Sequence, residues 1–177
     1  MRRLPAEWEP QSGIMLTWPH ADTDWAERLT EVESLYARLT ALITRFEAVL
    51  IVCRDGDHAE RVRGLARQAG ADESRLCLAI APSNDTWARD HGPVSLVTDA
   101  GPLLLDFCFN GWGGKFQADL DTAITGQLAA DGVFGGCPVE PCELVLEGGA
   151  RVSEGRGPVR AAWGAPCAHC ATALTNH

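Results

Sequence analysis

Leu76-Cys77-Leu78-Ala79-Ile80-Ala81 leads into Asp85-Thr86-Trp87-Ala88-Arg89-Asp90-His91-Gly92-Pro93, and Val94-Ser95-Leu96-Val97 follows. The outer pieces are apolar runs of strand length, so the middle reads as a loop held between two strands. A sheet fixes such a loop while leaving its side chains free, which suits function. Within Asp85–His91 stand an indole, a guanidinium, two carboxylates and an imidazole. Asn84 and Asp85 supply turn chemistry at the start, and Gly92-Pro93 ends the loop. The set suits a cationic ligand. A carboxylate accepts two parallel hydrogen bonds from a guanidinium fork, and an indole face adds cation–π attraction of roughly 0.5–2 kcal/mol. The same residues also fit a plain polar turn in which Arg89 pairs with Asp85 or Asp90 and Trp87 caps the core.

With 177 residues the chain has room for one sizeable core. Hydrophobic residues at 46% and charged residues at 22% match an ordinary soluble domain. No apolar run approaches the ~18 residues of a membrane span. Arg2 and Arg3 precede Glu7, Glu9 and Pro10 where a signal peptide needs apolar residues, so a cytoplasmic protein is expected. A net charge of −9 argues against a nucleic-acid backbone as partner and is compatible with cationic substrates. Seven cysteines without a secretory signal do not suggest a disulfide framework. Cys53, Cys77 and Cys108 each interrupt an apolar run and read as small core filler.

Taken in order, Gly13 to Trp18 reads as a strand ending at Pro19. A helix follows, on which Trp25, Leu29, Val32, Leu35, Tyr36, Leu39, Leu42, Ile43 and Phe46 repeat at three- and four-residue intervals as a core-facing stripe. Asp22 or Thr23 is placed to cap it. Ala48 to Cys53 is a candidate buried strand. Asp57 to Ala69 is a second helix, with Val62, Leu65, Ala66 and Ala69 inward and Gly70 as its stop. Arg75 to Ala81 is a strand. Val94 to Val97 and Leu103 to Phe109 form a hairpin turning at Asp99-Ala100-Gly101. Asn110 to Lys115 is a Gly-rich turn whose tryptophan fits a site wall or a tight turn. Phe116 to Ala130 reads as a third helix, weakened by roughly 1 kcal/mol at Gly126. Val139 to Leu146 is a strand that delivers Glu147 just before Gly148-Gly149. This order predicts a mixed sheet with helices, an α/β fold, and shows no internal repeat.

Trp87-Ala88-Arg89-Asp90-His91-Gly92-Pro93 resembles the hallmark loop of the agmatine deiminases and the bacterial, Porphyromonas-type peptidylarginine deiminases. Leu4-Pro5-Ala6-Glu7-Trp8-Glu9-Pro10, Phe109-Asn110-Gly111-Trp112-Gly113-Gly114-Lys115 and Leu146-Glu147-Gly148-Gly149 are similar to that family's motifs in order and spacing. The resemblance covers residues 4 to about 149, the family's N-terminal half. It implies about half of a five-bladed α/β propeller, the pentein fold. It also implies a hydrolase that replaces a guanidinium nitrogen by oxygen, without metal or organic cofactor. Agmatine is the favoured substrate, giving N-carbamoylputrescine and ammonia for putrescine and polyamine synthesis; peptidyl- or free arginine is the sibling.

Deimination demands a strong nucleophile because charge delocalisation makes the guanidinium carbon a poor electrophile; a thiolate serves at neutral pH. It also demands carboxylates to hold the fork and an imidazole to pass protons to ammonia. By resemblance, Asp90 is the first guanidinium-binding carboxylate, Glu147 a second, and Trp87 lines the substrate channel. Arg89 and Asn110 are expected to shape the loops. The nucleophilic cysteine and the catalytic histidine belong to the family's second half, and their motifs are absent here. The partner implied is a small guanidinium cation, with a homo-oligomer as an open option.

Residues 1–149 are thus expected as one deiminase-like unit and residues 150–177 as a divergent tail. After Ala150, Arg, Gly, Ala, Pro and Cys dominate and periodicity vanishes, as a shifted reading frame or truncation would produce. An inactive remnant is then the competing reading. A variant of it has Cys137, Cys142, Cys167 and Cys170, with His169 and His177, binding zinc.

Overall fold

A computed structural model describes residues 2–152 and 160–161. Three parallel strands form one sheet in the order β2 (Gly13–Thr17), β3 (Ala48–Cys53), β4 (Leu76–Ile80). Helices α1 (Leu29–Ile43) and α2 (Gly56–Gln68) are its crossovers. The second sheet has the order β1 (Arg2–Arg3), β5 (Val94–Thr98), β6 (Gly101–Cys108), β7 (Val139–Val145). In it β5 and β6 are an antiparallel hairpin with Thr98 opposite Gly101, while β7 runs parallel to β6. A single turn α3 (Ala88–His91) links the sheets, and another, α4 (Gly111–Gly114), follows β6. Helix α5 (Ile124–Ala130) precedes β7, and the short strands β8 (Arg151–Val152) and β9 (Arg160–Ala161) pair antiparallel.

Alternation on β3 divides the core. Val49, Ile51 and Cys53 face α1 and α2 together with Trp18, Ala37 and Val62. Val52 faces the other way, with Ala79, Ala81 and, from α5, Ile124 and Leu128. The parallel sheet is therefore covered on both faces, which is why its strands read as continuous apolar runs. Because its strands are parallel, the loops after Thr17, Cys53 and Ile80 all leave from one edge.

Helix α1 departs from its sequence reading. Its inward residues are Glu33, Ala37, Thr40 and Ala41, whereas Leu35, Leu39, Leu42 and Phe46 are exposed, the last by 82%. Tyr36 and Ile43 do pack on the core. Small side chains let the helix approach the sheet closely, and Glu33 is buried because Arg61 of α2 reaches it, Nε to Oε1 at 2.9 Å. Neither Asp22 nor Thr23 caps the helix: Asp22 pairs with Arg54, and the Thr23 hydroxyl donates to the His20 carbonyl at 2.7 Å. The third helix is shorter than expected, with a 3-10 turn at Asp121–Ala123 leading into α5. Of the three strand cysteines, Cys53 is buried as expected, but Cys77, on the edge strand β4, and Cys108, last in β6, are exposed. Burial pushes the Cys53 thiol up to about 12, so it is inert.

Glu33 is 2% exposed while the Arg61 side chain reaches solvent. Arg61→Ala strands a buried carboxylate and is expected to destabilise the fold by about 3 kcal/mol, the low end for a broken buried pair. Denaturant titration checks it, with Glu33→Gln expected to cost clearly less.

Candidate functional site

The loop between β4 and β5 is anchored through its histidine. His91 is 3% exposed, its Nε2 lies 3.1 Å from the Thr17 hydroxyl of β2, and its ring leans on Phe109 at 6.3 Å. Burial pushes this imidazole down to about 4, so it is neutral at pH 7. It pins the loop rather than serving chemistry. Gly92 closes the turn where a Cβ would lie 2.5 Å from the Ala88 carbonyl oxygen. Arg89 pairs with neither Asp85 nor Asp90; its Nη2 meets Glu7 at 3.1 Å. The opening stretch thus packs beside this loop, itself folded by Arg3 donating to Glu9 at 2.7 and 2.8 Å and by the Ala6 N–H at 2.8 Å. Those bonds hold the Glu9 carboxyl down at about 2.

Asp90 faces the end of β7. Its Oδ1 accepts the Gly149 N–H at 2.9 Å, which brings the segment carrying Glu147 onto the loop. A Cβ on Gly149 would lie 2.3 Å from that oxygen, so a larger residue would push the Asp90 carboxylate aside. Gly149 therefore serves a close contact with the Asp90 carboxylate. Glu147 is half-buried and, among the described residues, makes no hydrogen bond or ion pair. One Asp90 oxygen and the whole Glu147 carboxylate remain to accept from a cation.

Aromatic rings wall this region. Trp87 is 42% exposed rather than capping the core, and its indole N–H donates to Asp85 Oδ2 at 3.0 Å. Trp25 stands on one side with ring centroids 6.4 Å away, its own N–H donating to the Thr86 hydroxyl at 2.9 Å. Trp112 stands edge-on at 5.9 Å on the other side, backed by Phe109 and Phe116 at 5.1 and 5.6 Å. The Gly-rich turn exists to seat that indole. Trp112 itself has φ 58°, an uncommon left-handed conformation costing roughly 1–2 kcal/mol. At Gly111 a Cβ would meet the Phe116 carbonyl oxygen at 2.1 Å. Asn110 caps the turn, accepting the Gly113 N–H at 2.8 Å, the shaping role its position suggests.

Beside the loop, at the carboxyl edge of the parallel sheet, lies an open cleft of about 620 Å³. His20, Asp22, Asp85, Trp112, Phe116 and Asp121 line it, with Asp24, Asp55 and Arg54 at its margin. His20 is buried, within 3.2 Å of the Ser83 hydroxyl and carbonyl, and burial aided by Arg54 lowers its pKa. Burial and Asp85 push the Asp121 carboxyl up to about 6, against the pull of two amide hydrogen bonds. Neither residue is marked by the sequence: Asp121 falls on the expected helix and His20 in an irregular stretch. Cys137 precedes β7 and Cys142 lies within it; the other zinc candidates, Cys167, His169, Cys170 and His177, lie outside the described residues. No helix among the described residues is long and apolar enough to cross a membrane.

The family model for Porphyromonas-type peptidyl-arginine deiminase matches residues 3–162. An agmatine deiminase of Stutzerimonas stutzeri is 34% identical over 113 residues, 63% of this chain and 29% of that protein. A solved cysteine-to-serine variant of C. jejuni agmatine deiminase with substrate bound superposes with TM-score 0.79 at 29% identity, covering 90% of this chain and 45% of that one. A second C. jejuni agmatine deiminase structure, TM-score 0.75 at 24% identity, covers all of this chain and 49% of its own. The chain thus spans less than half the length of these relatives. Its two sheets and their helices are about half of the α/β propeller, the pentein fold.

Two measurements test the geometry. Gly149→Ala is expected to destabilise the wild-type fold but much less an Asp90→Ala background, a coupling of about 1–3 kcal/mol by double-mutant cycle. An unfolded histidine takes up its proton near pH 6.5, whereas folded His91 waits until about 4. Stability is therefore expected to fall as pH drops from 6.5 to 4, by roughly 3 kcal/mol from this group. His91→Gln is expected to flatten the measured stability–pH curve.

Proposed function

The chain belongs to the Porphyromonas-type peptidyl-arginine deiminase family, and on that footing we propose that it carries the guanidinium-binding half of an agmatine deiminase. One observation carries the reading: the Gly149 N–H on Asp90 brings the segment that holds Glu147 onto the loop that holds Asp90 and the exposed Trp87 indole. Asp90 offers its untied oxygen to the guanidinium fork, Glu147 balances the charge, and Trp87 supplies a π face along the channel.

In the reaction a thiolate attacks the guanidinium carbon, the C–N bond breaks and ammonia leaves with a transferred proton. Water then cleaves the C–S bond to give the ureido product. Neither the thiolate nor the proton-transferring imidazole is assigned to a residue of this chain; we place both in the part of the relatives that it does not span. Agmatine is favoured over arginine because the neighbouring cleft is acidic, which suits a second cation and repels an α-carboxylate. The curated relative's own name supports the same choice. The product, N-carbamoylputrescine, places the reaction in putrescine synthesis in the cytoplasm. Peptidyl- or free arginine is the sibling substrate. The exposed Leu35, Leu42 and Phe46 favour a second reading, in which this polypeptide alone is a non-catalytic remnant.

Purified 177-residue protein is expected to bind agmatine in calorimetry, at least tenfold more weakly in Asp90→Ala and Glu147→Gln, and to release no ureido product. Binding unaffected by both substitutions would overturn the site assignment. Turnover that Asp90→Ala abolishes would place a nucleophile within this chain.

A further inference from the structure

Four hydrogen bonds join the two loops that carry the aromatic wall. Asn84 Oδ1 accepts the N–H groups of Leu120 and Asp121 at 2.8 and 3.2 Å. Asp121 Oδ1 accepts those of Asn84 and Asp85 at 2.7 and 3.2 Å. Each side chain therefore holds the other's backbone. From there the chain of contacts runs on toward the site: Asp85 accepts the Thr86 N–H at 2.8 Å and the Trp87 indole N–H at 3.0 Å, and α3 with Asp90 follows. On the opposite loop the Phe109 N–H donates to the Thr122 hydroxyl at 3.0 Å, closing the segment that presents Trp112.

We propose that Asn84 and Asp121 are positioning residues that set Trp87 and Asp90 for a guanidinium ligand, an inference that rests on the deiminase reading above. Asp121 is 2% exposed, and a carboxylate is buried so deeply only where N–H donors satisfy it. The charges acting on it are those of Asp85 and Asp119, both acidic; His20 and Arg54 line the same cleft. Burial first, then these carboxylates, bring its titration to about pH 6. Above that pH the ionised carboxylate holds the two amides strongly; as pH falls through it those two bonds weaken, and the loop is held chiefly by the Asn84 pair. The geometry thus makes ligand affinity follow the charge of a residue that does not itself hold the guanidinium.

Amide hydrogen exchange and agmatine calorimetry on the same protein, from pH 5 to 8, test this. In the wild type, protection of the Asn84 and Asp85 amides, corrected for intrinsic exchange, is expected to drop at least tenfold between pH 7 and 5, and agmatine affinity to drop with it. Asp121→Asn presents a neutral acceptor at every pH, as the protonated acid does, and is expected to flatten both profiles at the level the wild type reaches at pH 5. Asp121→Ala is expected to lose protection and affinity at every pH; where it does not fold, the asparagine variant decides. Profiles of the same slope in wild type and Asp121→Asn would overturn the proposal. Asp90→Ala separates the two readings: it is expected to abolish binding and leave the Asn84 and Asp85 protection intact. No agmatine binding by the wild type would overturn the guanidinium reading and the positioning role with it.

Discussion

One backbone N–H decides whether this fold has a site. Gly149 donates it to Asp90 across 59 residues, from the end of one sheet to the loop that leaves the other. The sheets are separate hydrogen-bonded units, each with its own apolar cluster. That contact brings the segment carrying Glu147 onto the loop that carries Asp90. With it, a carboxylate is fixed by one oxygen and left unsatisfied at the other, which is the state a guanidinium recognises.

The strands were legible because burial leaves an unbroken apolar run at the central strand Ala48–Cys53, the edge strand Leu76–Ile80 is apolar too, and the Asp99-Ala100 turn sets the hairpin register. Asp90 and Trp87 were singled out as candidates through the likeness of their loop to a known family. Helix α1 was legible as a helix but not in its orientation. Periodicity finds the most apolar stripe, whereas the helix buried the side that fits closest, Ala37, Thr40 and Ala41, with a charged Glu33 made tolerable by Arg61. That pairing lies 28 residues along the chain and has no local sign. Asp121 was hidden for a similar reason, since its partners are the backbone amides of residues 84 and 85.

Histidine marks the sharpest divergence between residue type and role. Near the carboxylates of the loop, His91 invites a catalytic assignment, yet its ring is sealed against Thr17 and Phe109 and its charge state is set by burial. The useful polar groups are those whose lone pairs are left unspent, not those of the most versatile chemistry. An imidazole sealed in the core beneath its loop is out of a substrate's reach.

The two-residue strand β1 has a consequence in time. Arg2 and Arg3 pair with Thr98 and Val97, and the Arg2 guanidinium grips Glu140 through two bonds of 2.8 and 2.9 Å. The unit from Gly13 to Ile80, by contrast, closes each crossover with neighbours made shortly before. At synthesis rates of about 5–20 residues per second, Arg2 waits roughly 7–28 s for Glu140 to be made, longer than the parallel sheet needs for its last strand. The N-terminal strand gains its backbone partners Val97 and Thr98 first and completes its ion pair only when Glu140 is made. The last contact of the first strand is thus also among the last that synthesis permits.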